Sequence, residues 1–232
     1  MAEAKAALAL GVDRVELCAW PQCGGITPGY GLLVAAMRQR TPARVLVRAR
    51  PGGFVHSAEE TTAMLDEVTL CRDMGFQHLV VGALTADHLV DAAYLRAVRQ
   101  RHPDAVLTFH RAIDHCPDPL RALDTCVELG VQRILTSGGS PLALDGVPAI
   151  ARMLRHAPPG LAIAVAGGVA PGNVVGIVEL TGAREVHFAA FTTEAATSVA
   201  MSTTSPQADR ALLPDLPKIE GVLNALSNAG LR

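Results

Sequence analysis

Aromatic side chains are scarce in this 232-residue chain: five Phe, two Tyr and one Trp make up 3% of it. A core of stacked rings is therefore excluded. The interior must be aliphatic, because half of all residues are hydrophobic. Charge is also thin, at 18% of residues, and the balance is −2. With no basic surplus and no clustering of Lys and Arg, nucleic acid is not expected as a partner, since phosphate backbones need a basic face. No apolar run is long enough to span a bilayer, so no membrane partner is expected. The opening stretch MAEAKAALALGVDR lacks the charged start, apolar centre and cleavage pattern of a signal peptide. Cys18 and Cys23 stand five positions apart and no Cys-x-x-Cys pair follows, which argues against structural zinc. Five cysteines without secretory context predict reduced thiols and a cytoplasmic location.

What is present is a rhythm. Short apolar runs recur at Asp13–Cys18, Ala43–Arg50, His78–Leu84, Ala105–Arg111, Arg133–Ser137, Leu161–Gly167 and Arg184–Ala190. Their β-branched content and Gly/Pro-rich exits read as strands. Amphipathic helices lie between them. Ser57 with Glu60 forms a capping box for a helix that Gly75 stops; Asp118-Pro119 opens one ending near Gly130; Pro171 and Asn173 open one ending near Gly182. Connections this long demand parallel strands and right-handed crossovers. The expected fold is α/β, a TIM (β/α)8 barrel in one domain over 1–232, with a doubly wound open sheet as the competing architecture. Only seven strands are visible. The chain opens in a helix, Ala2–Leu10, where a first strand should precede it, which suggests a truncated or late start. The resulting gap is expected to stay open, to be filled by part of Thr192–Ser205, or to be covered by a neighbouring chain. Thr192–Pro217 reads as irregular and Lys218–Leu231 as the closing helix.

Strand parity assigns the inward faces. If the apolar alternates pack outward on helices, then Glu16, Cys18, Leu46, Arg48, Arg50, Thr108, His110, Leu135, Ser137 and His187 point inward. The polar members fall towards the C-terminal strand ends, where barrel enzymes carry their sites. An internal ion-pair plug is the structural alternative, since buried charges must pair. Glu16 and His110 are candidates for general acid/base work, with Arg48, Ser137 and His187 beside them; the ordinary pKa of a histidine suits His110 to proton transfer. Gly138-Gly139 and Gly167-Gly168 follow two strands as turns that let the backbone approach an anion. With Arg48, Arg50 and Arg111 they predict a site for phosphate or carboxylate. No Lys falls at an inward position to form a Schiff base.

The strings VELC, GGITPGYG, VLVRARPGGF, VVGAL, LTFHRAID, RILTSGG and VAGGVAPGNV, in this order, resemble the CutC copper-homeostasis family over residues 2 to about 190. The resemblance implies a TIM barrel, a cytoplasmic location, self-association as a homo-oligomer (dimer or higher) and a role in copper handling, with cuprous ion as ligand. It brings no organic cofactor and no established reaction. The family's first strand, with its own cysteine-bearing segment, is absent, and Cys23 is not part of the inherited motif whereas Cys18 is.

Copper(I) favours thiolate ligands. Cys18 faces inward, Cys23 lies on the next loop, and His115 and Cys116 lie on the loop after the His110 strand, so these form the candidate metal set. Cys71 and Cys126 fall at apolar spacing within helices and read as packing. The expected function is that of a copper-homeostasis protein that binds cuprous ion; the alternative is a barrel enzyme with lyase- or isomerase-like acid/base chemistry on a small anionic metabolite, such as a phosphorylated one.

Overall fold

The computed structural model describes residues 1–195 and 210–232. Seven strands form one parallel sheet in sequence order: β1 Val15–Leu17, β2 Ala43–Leu46, β3 His78–Val81, β4 Val106–Phe109, β5 Arg133–Thr136, β6 Ala162–Ala166 and β7 Glu185–His187. Nowhere does the order reverse, so the switch point of a doubly wound sheet does not arise. Helices alternate with the strands: α1 Ala2–Ala9, α2 Tyr30–Arg38, α3 Ala58–Asp73, α4 Ala92–Arg101, α5 Pro119–Glu128, α6 Val147–His156 and α7 Val174–Thr181. The expected caps form. Ser57 and Glu60 exchange hydrogen bonds as a capping box, and Asp118 accepts from the Leu120 and Arg121 amides with Pro119 at the first helical position. None of the helices among the described residues is long and apolar enough to cross a membrane.

The sheet curls into a barrel with a seam. β1 and β7 are its two edges and do not pair with each other. Their ends nevertheless approach, because Arg14, just before β1, reaches Glu185 at the start of β7 at 2.6 Å. The segment after β7 corrects the irregular reading. Phe191–Ala195 (β8) and Arg210–Pro214 (β9) form an antiparallel pair in a separate sheet, as their β-branched and apolar content favours. Residues 192–195 thus do not fill the seam as an eighth strand, and 196–205 lie outside the described residues. The last helix, α8, runs Leu216–Asn228, with Asp215 as its cap and Pro217 in its first turn.

Alternation sorts the side chains into two layers. Leu17, Val45, Val47, Leu79, Val81, Leu107, Phe109 and Ile134 join the core between sheet and helices. Leu135, Ala164 and Ala166 form a separate small cluster on the inner face. Two of these three are alanines, and their lack of bulk leaves the interior hollow.

Candidate functional site

The hollow is a cavity of about 990 Å³ inside the barrel, reaching the seam beside β1 and β7. Glu16, Cys18, Arg48, His110, Arg111 and His187 line it, as do Cys23, Gly167 and Gly168. Arg50, Ser137, Gly138, Gly139 and Cys116 do not.

Each absence has a local cause. Arg50 turns towards α3, pairing with Glu60 (2.5 Å from Nε) and donating to the carbonyls of Gly53 and Val55, so it staples the loop after β2. Ser137 is fully buried and its hydroxyl is held between Asp114 Oδ2 (2.9 Å) and the Ser140 carbonyl (2.5 Å). The Gly138 and Gly139 amides are already spent on Thr136 Oγ1 and Asp114 Oδ1, and helix α6 starts only at Val147. Cys116 packs against the core over α5, and burial pushes its thiol up to about 11.

His110 extends β4 into the cavity wall. Its Nδ1 accepts the Ala112 amide at 3.2 Å, which fixes the ring proton on Nε2. The ring lies over Gly82, where an added Cβ would come within 2.4 Å of Cε1, so only glycine leaves room for it. Burial, and then the neighbouring Arg48 charge, push its pKa down to about 3. That direction favours the neutral imidazole and makes it a weaker base than the ordinary histidine assumed from the sequence. Arg48 is 4% exposed and has no carboxylate partner among the described residues. It donates instead to the carbonyls of Gly25 (3.0 Å) and Gly52 (2.5 Å) and lies 4.8 Å from the centre of the Phe54 ring. It therefore joins the loops after β1 and β2 while leaving positive charge at the cavity.

Asp114 organises the next strand ends. Its carboxylate accepts from Thr136 Oγ1 (2.5 Å), the Ser137 amide (3.0 Å), Ser137 Oγ and the Gly139 amide, and pairs with Arg111 Nε at 2.8 Å. The Arg111 guanidinium also donates to Ser137 Oγ at 2.6 Å. A Cβ on Gly167 would lie 3.0 Å from Ser137 Cβ, so Gly167-Gly168 turns directly beside this group. Both glycines have positive φ, +107° and +68°. Among the described residues their amides have no hydrogen-bond partner, although both residues face the cavity. Two free amides beside a guanidinium make a concave donor set for an anion.

Deeper in the barrel a second charged layer appears. Arg14 and Arg133 share Glu185, at 2.6 and 2.5 Å. Burial alone would raise the Glu185 pKa, but the Arg133 and Arg14 contacts hold it below the usual carboxylate range. Arg44 reaches towards Thr108 Oγ1 at 3.4 Å, and burial, followed by the charges of Arg133 and Arg14, lowers it to about 10. The ion pairs inside the barrel thus belong to this lower layer and not to the Glu16 and Arg48 of the plug considered from the sequence. Glu16 lines the cavity and makes no ion pair among the described residues.

Cys18 and Cys23 sit on either side of the turn at Trp20-Pro21, and both reach the cavity. Burial, then Glu16, then Cys23 push the Cys18 thiol up to about 12, and Cys23 donates its S–H to the Trp20 carbonyl at 3.0 Å. No group of three or more metal-ligating side chains occurs among the described residues.

A model of the CutC family matches residues 1–192. The chain belongs to the CutC family. A CutC family protein of Glaesserella parasuis is 35% identical over 223 residues, covering 93% of this chain and 91% of that protein. One from Klebsiella pneumoniae is 40% identical over 191 residues, covering 82% and 76%. The solved structure of CutC from Streptococcus agalactiae, described as a candidate copper-homeostasis protein, superposes with a TM-score of 0.72 at 29% identity, over 76% of this chain and 88% of that one. The LTFHRAID string of this CutC family member carries His110, Arg111 and Asp114 on one strand end and the turn after it.

Sequence reasoning passed over Asp114, Phe54, Gly82 and the lower arginines. Parity could have found the last group, because two residues back from Glu16, Leu46, Leu135 and His187 stand Arg14, Arg44, Arg133 and Glu185. The spacing of three from Arg111 to Asp114 was a signal for an ion pair on one turn. Nothing local marks Gly82 or Phe54, whose roles come from contacts with His110 across strands and loops.

Proposed function

We propose that this CutC family protein is a barrel enzyme that binds a small anionic metabolite in its cavity and acts on it by lyase- or isomerase-type acid/base chemistry. The observation that carries this reading is the pair of amides at Gly167 and Gly168, unpartnered among the described residues, beside Arg111, with all three residues lining one cavity. Glu16 serves as the base, since its carboxylate has no arginine partner among the described residues, and His187 stands across the seam on β7. Inorganic phosphate is the first probe. It should raise the Tm of the full chain in a concentration-dependent way. Arg111→Gln should weaken that binding about tenfold or more, the usual worth of a charged hydrogen bond. A Tm indifferent to millimolar phosphate would sink this reading.

Copper is the second reading, favoured by the presence of Cys18 and Cys23 on the same cavity wall. Two sulfurs suit a cuprous ion carried as cargo, since soft thiolates select Cu(I), and each thiol gives up its proton on binding. An anaerobic Cu(I) titration against a competing chelator should then give about one ion per chain at a site lost in Cys18→Ser and retained in His110→Ala. Equal copper binding by wild type and Cys18→Ser would exclude this pair as the site. Cytoplasmic location and a homo-oligomeric assembly belong to this family-based part of the proposal.

A further inference from the structure

The cavity has a second cationic end. At the barrel floor Arg14, Arg44 and Arg133 all line it. Arg14 and Arg133 are neutralised by the carboxylate they share, at 2.6 and 2.5 Å from Glu185. Arg44 is not, since no carboxylate among the described residues lies within ion-pair distance of it. Glu16 is its neighbour in register on β1, yet the Arg44 side chain reaches the other way, past β3. There its Nη1 stops 3.4 Å from Thr108 Oγ1 on β4 and 3.5 Å from His78 Nδ1, both at the outer limit of a hydrogen bond. Its Nη2 has no partner among the described residues and, unlike its Nε, is not closed to solvent. Thr108 stands opposite Arg133 in register, so Arg44 ends beside the group that shares Glu185. Burial, and then the charges of Arg133 and Arg14, lower Arg44 to about 10. A guanidinium held against two others in a half-buried place is opposed by its surroundings, and an anion arriving from outside would relieve it.

We propose that Arg44, with Arg14 and Arg133 beside it, forms a second anion site at the barrel floor, and that the ligand is a small molecule with an anionic group at each end. One end sits at Gly167-Gly168 and Arg111, the other at Arg44. This inference rests on the anion-binding reading above and supplies the far end of the ligand. Arg44 and Arg48 stand four residues apart on one strand run, so floor and mouth are separated by about 13 Å of extended chain. A single phosphate cannot bridge that span, whereas a bisphosphate on a short carbon chain can. The inward residue between the two levels is Glu16 on β1, Leu46 on β2 and Leu135 on β5, and all three line the cavity. The carbon skeleton of such a ligand would lie against the two leucines, with the Glu16 carboxylate beside its middle rather than at either anionic end.

The test is calorimetric titration of the full chain with butyl phosphate and with butane-1,4-diyl bisphosphate, flanked by the propane and hexane homologues as rulers of the span. The best bisphosphate should bind about a hundredfold or more tightly than butyl phosphate, because holding one end makes the second contact intramolecular. That comparison is made in wild type and needs no variant to fold. Arg44→Gln should remove the advantage and leave butyl phosphate bound at Arg111, whereas Arg111→Gln should weaken both esters. A wild type that binds no bisphosphate of the series more tightly than butyl phosphate, or an advantage that survives Arg44→Gln, would overturn the inference while leaving the anion site at the mouth intact. If neither these esters nor inorganic phosphate binds, the anion reading fails and the inference falls with it.

Discussion

Replacing Asp114 with alanine should destabilise the protein by about 3–5 kcal/mol, the cost of removing one member of a buried charged network. The carboxylate is 5% exposed and ties two pieces of chain together: the turn carrying Arg111, and the end of β5 at Thr136 and Ser137 with the loop that continues to Gly139. Alanine would leave the Thr136 hydroxyl and the Ser137 amide without their acceptor in a dry region. Arg111, 39% exposed, could regain water and would lose its fixed position instead. Asp114→Asn should be milder, because an amide oxygen still accepts from part of the set. Urea denaturation would show the loss as a lower midpoint with an unchanged slope, and phosphate titration of the folded fraction should show weakened anion binding. A midpoint shift below about 1 kcal/mol, the typical worth of one neutral hydrogen bond, would mean the network is not cooperative.

The second large effect is a loss of stability on mild acidification. His110 has a folded pKa of about 3, far below its ordinary value, because it is buried and faces Arg48, His56 and His115. Between the ordinary histidine pKa near 6.5 and the folded value, the unfolded chain takes up a proton that the native ring refuses. Stability is therefore intact at neutral pH and falls by about 1.4 kcal/mol per pH unit once the pH drops below about 6. His56 and His78 are also shifted down, chiefly by burial, and add slope of the same sign. Glu185 acts in the same direction at lower pH: its contribution holds above the usual carboxylate range and fades only as the pH falls through its depressed value. Urea midpoints at several pH values between 5 and 6.5 isolate the histidine part. His110→Gln should flatten that slope by about one proton, and a slope unchanged by the substitution would show that His110 already takes its proton in the native state.

The sequence made the barrel legible because a parallel sheet covered by helices leaves two periodicities in register, and the apolar alternates Val45, Val47, Leu107, Phe109 and Ile134 indeed pack in the core between sheet and helices. Parity brought Glu16, Arg48, His110 and His187 to one cavity for the same reason. It could not say what each group does there. A pKa depends on burial and neighbours in three dimensions, so His110 read as a proton shuttle until its ring was seen between Gly82 and Phe54. Likewise the strand-end position of Ser137 and the Gly-Gly after it suggested a ligand cradle. Asp114, arriving from the preceding strand end, consumes their donors. The antiparallel pair after β7 was missed because its two members stand apart in the chain, and neither alone has a hairpin signature.

The seam between β1 and β7 also orders the events of folding. Each strand of the sheet pairs with the one made just before it, so the structure can grow unit by unit as the chain leaves the ribosome. The clasp from Arg14 to Glu185 is different, since its two halves lie at opposite ends of that sheet in sequence. Until the last strand emerges, Arg14 and Arg133 are cations without their shared partner. Nascent chains stalled before Glu185 would thus present a half-open trough with a positive floor, and closure would arrive as a late, separate step in synthesis.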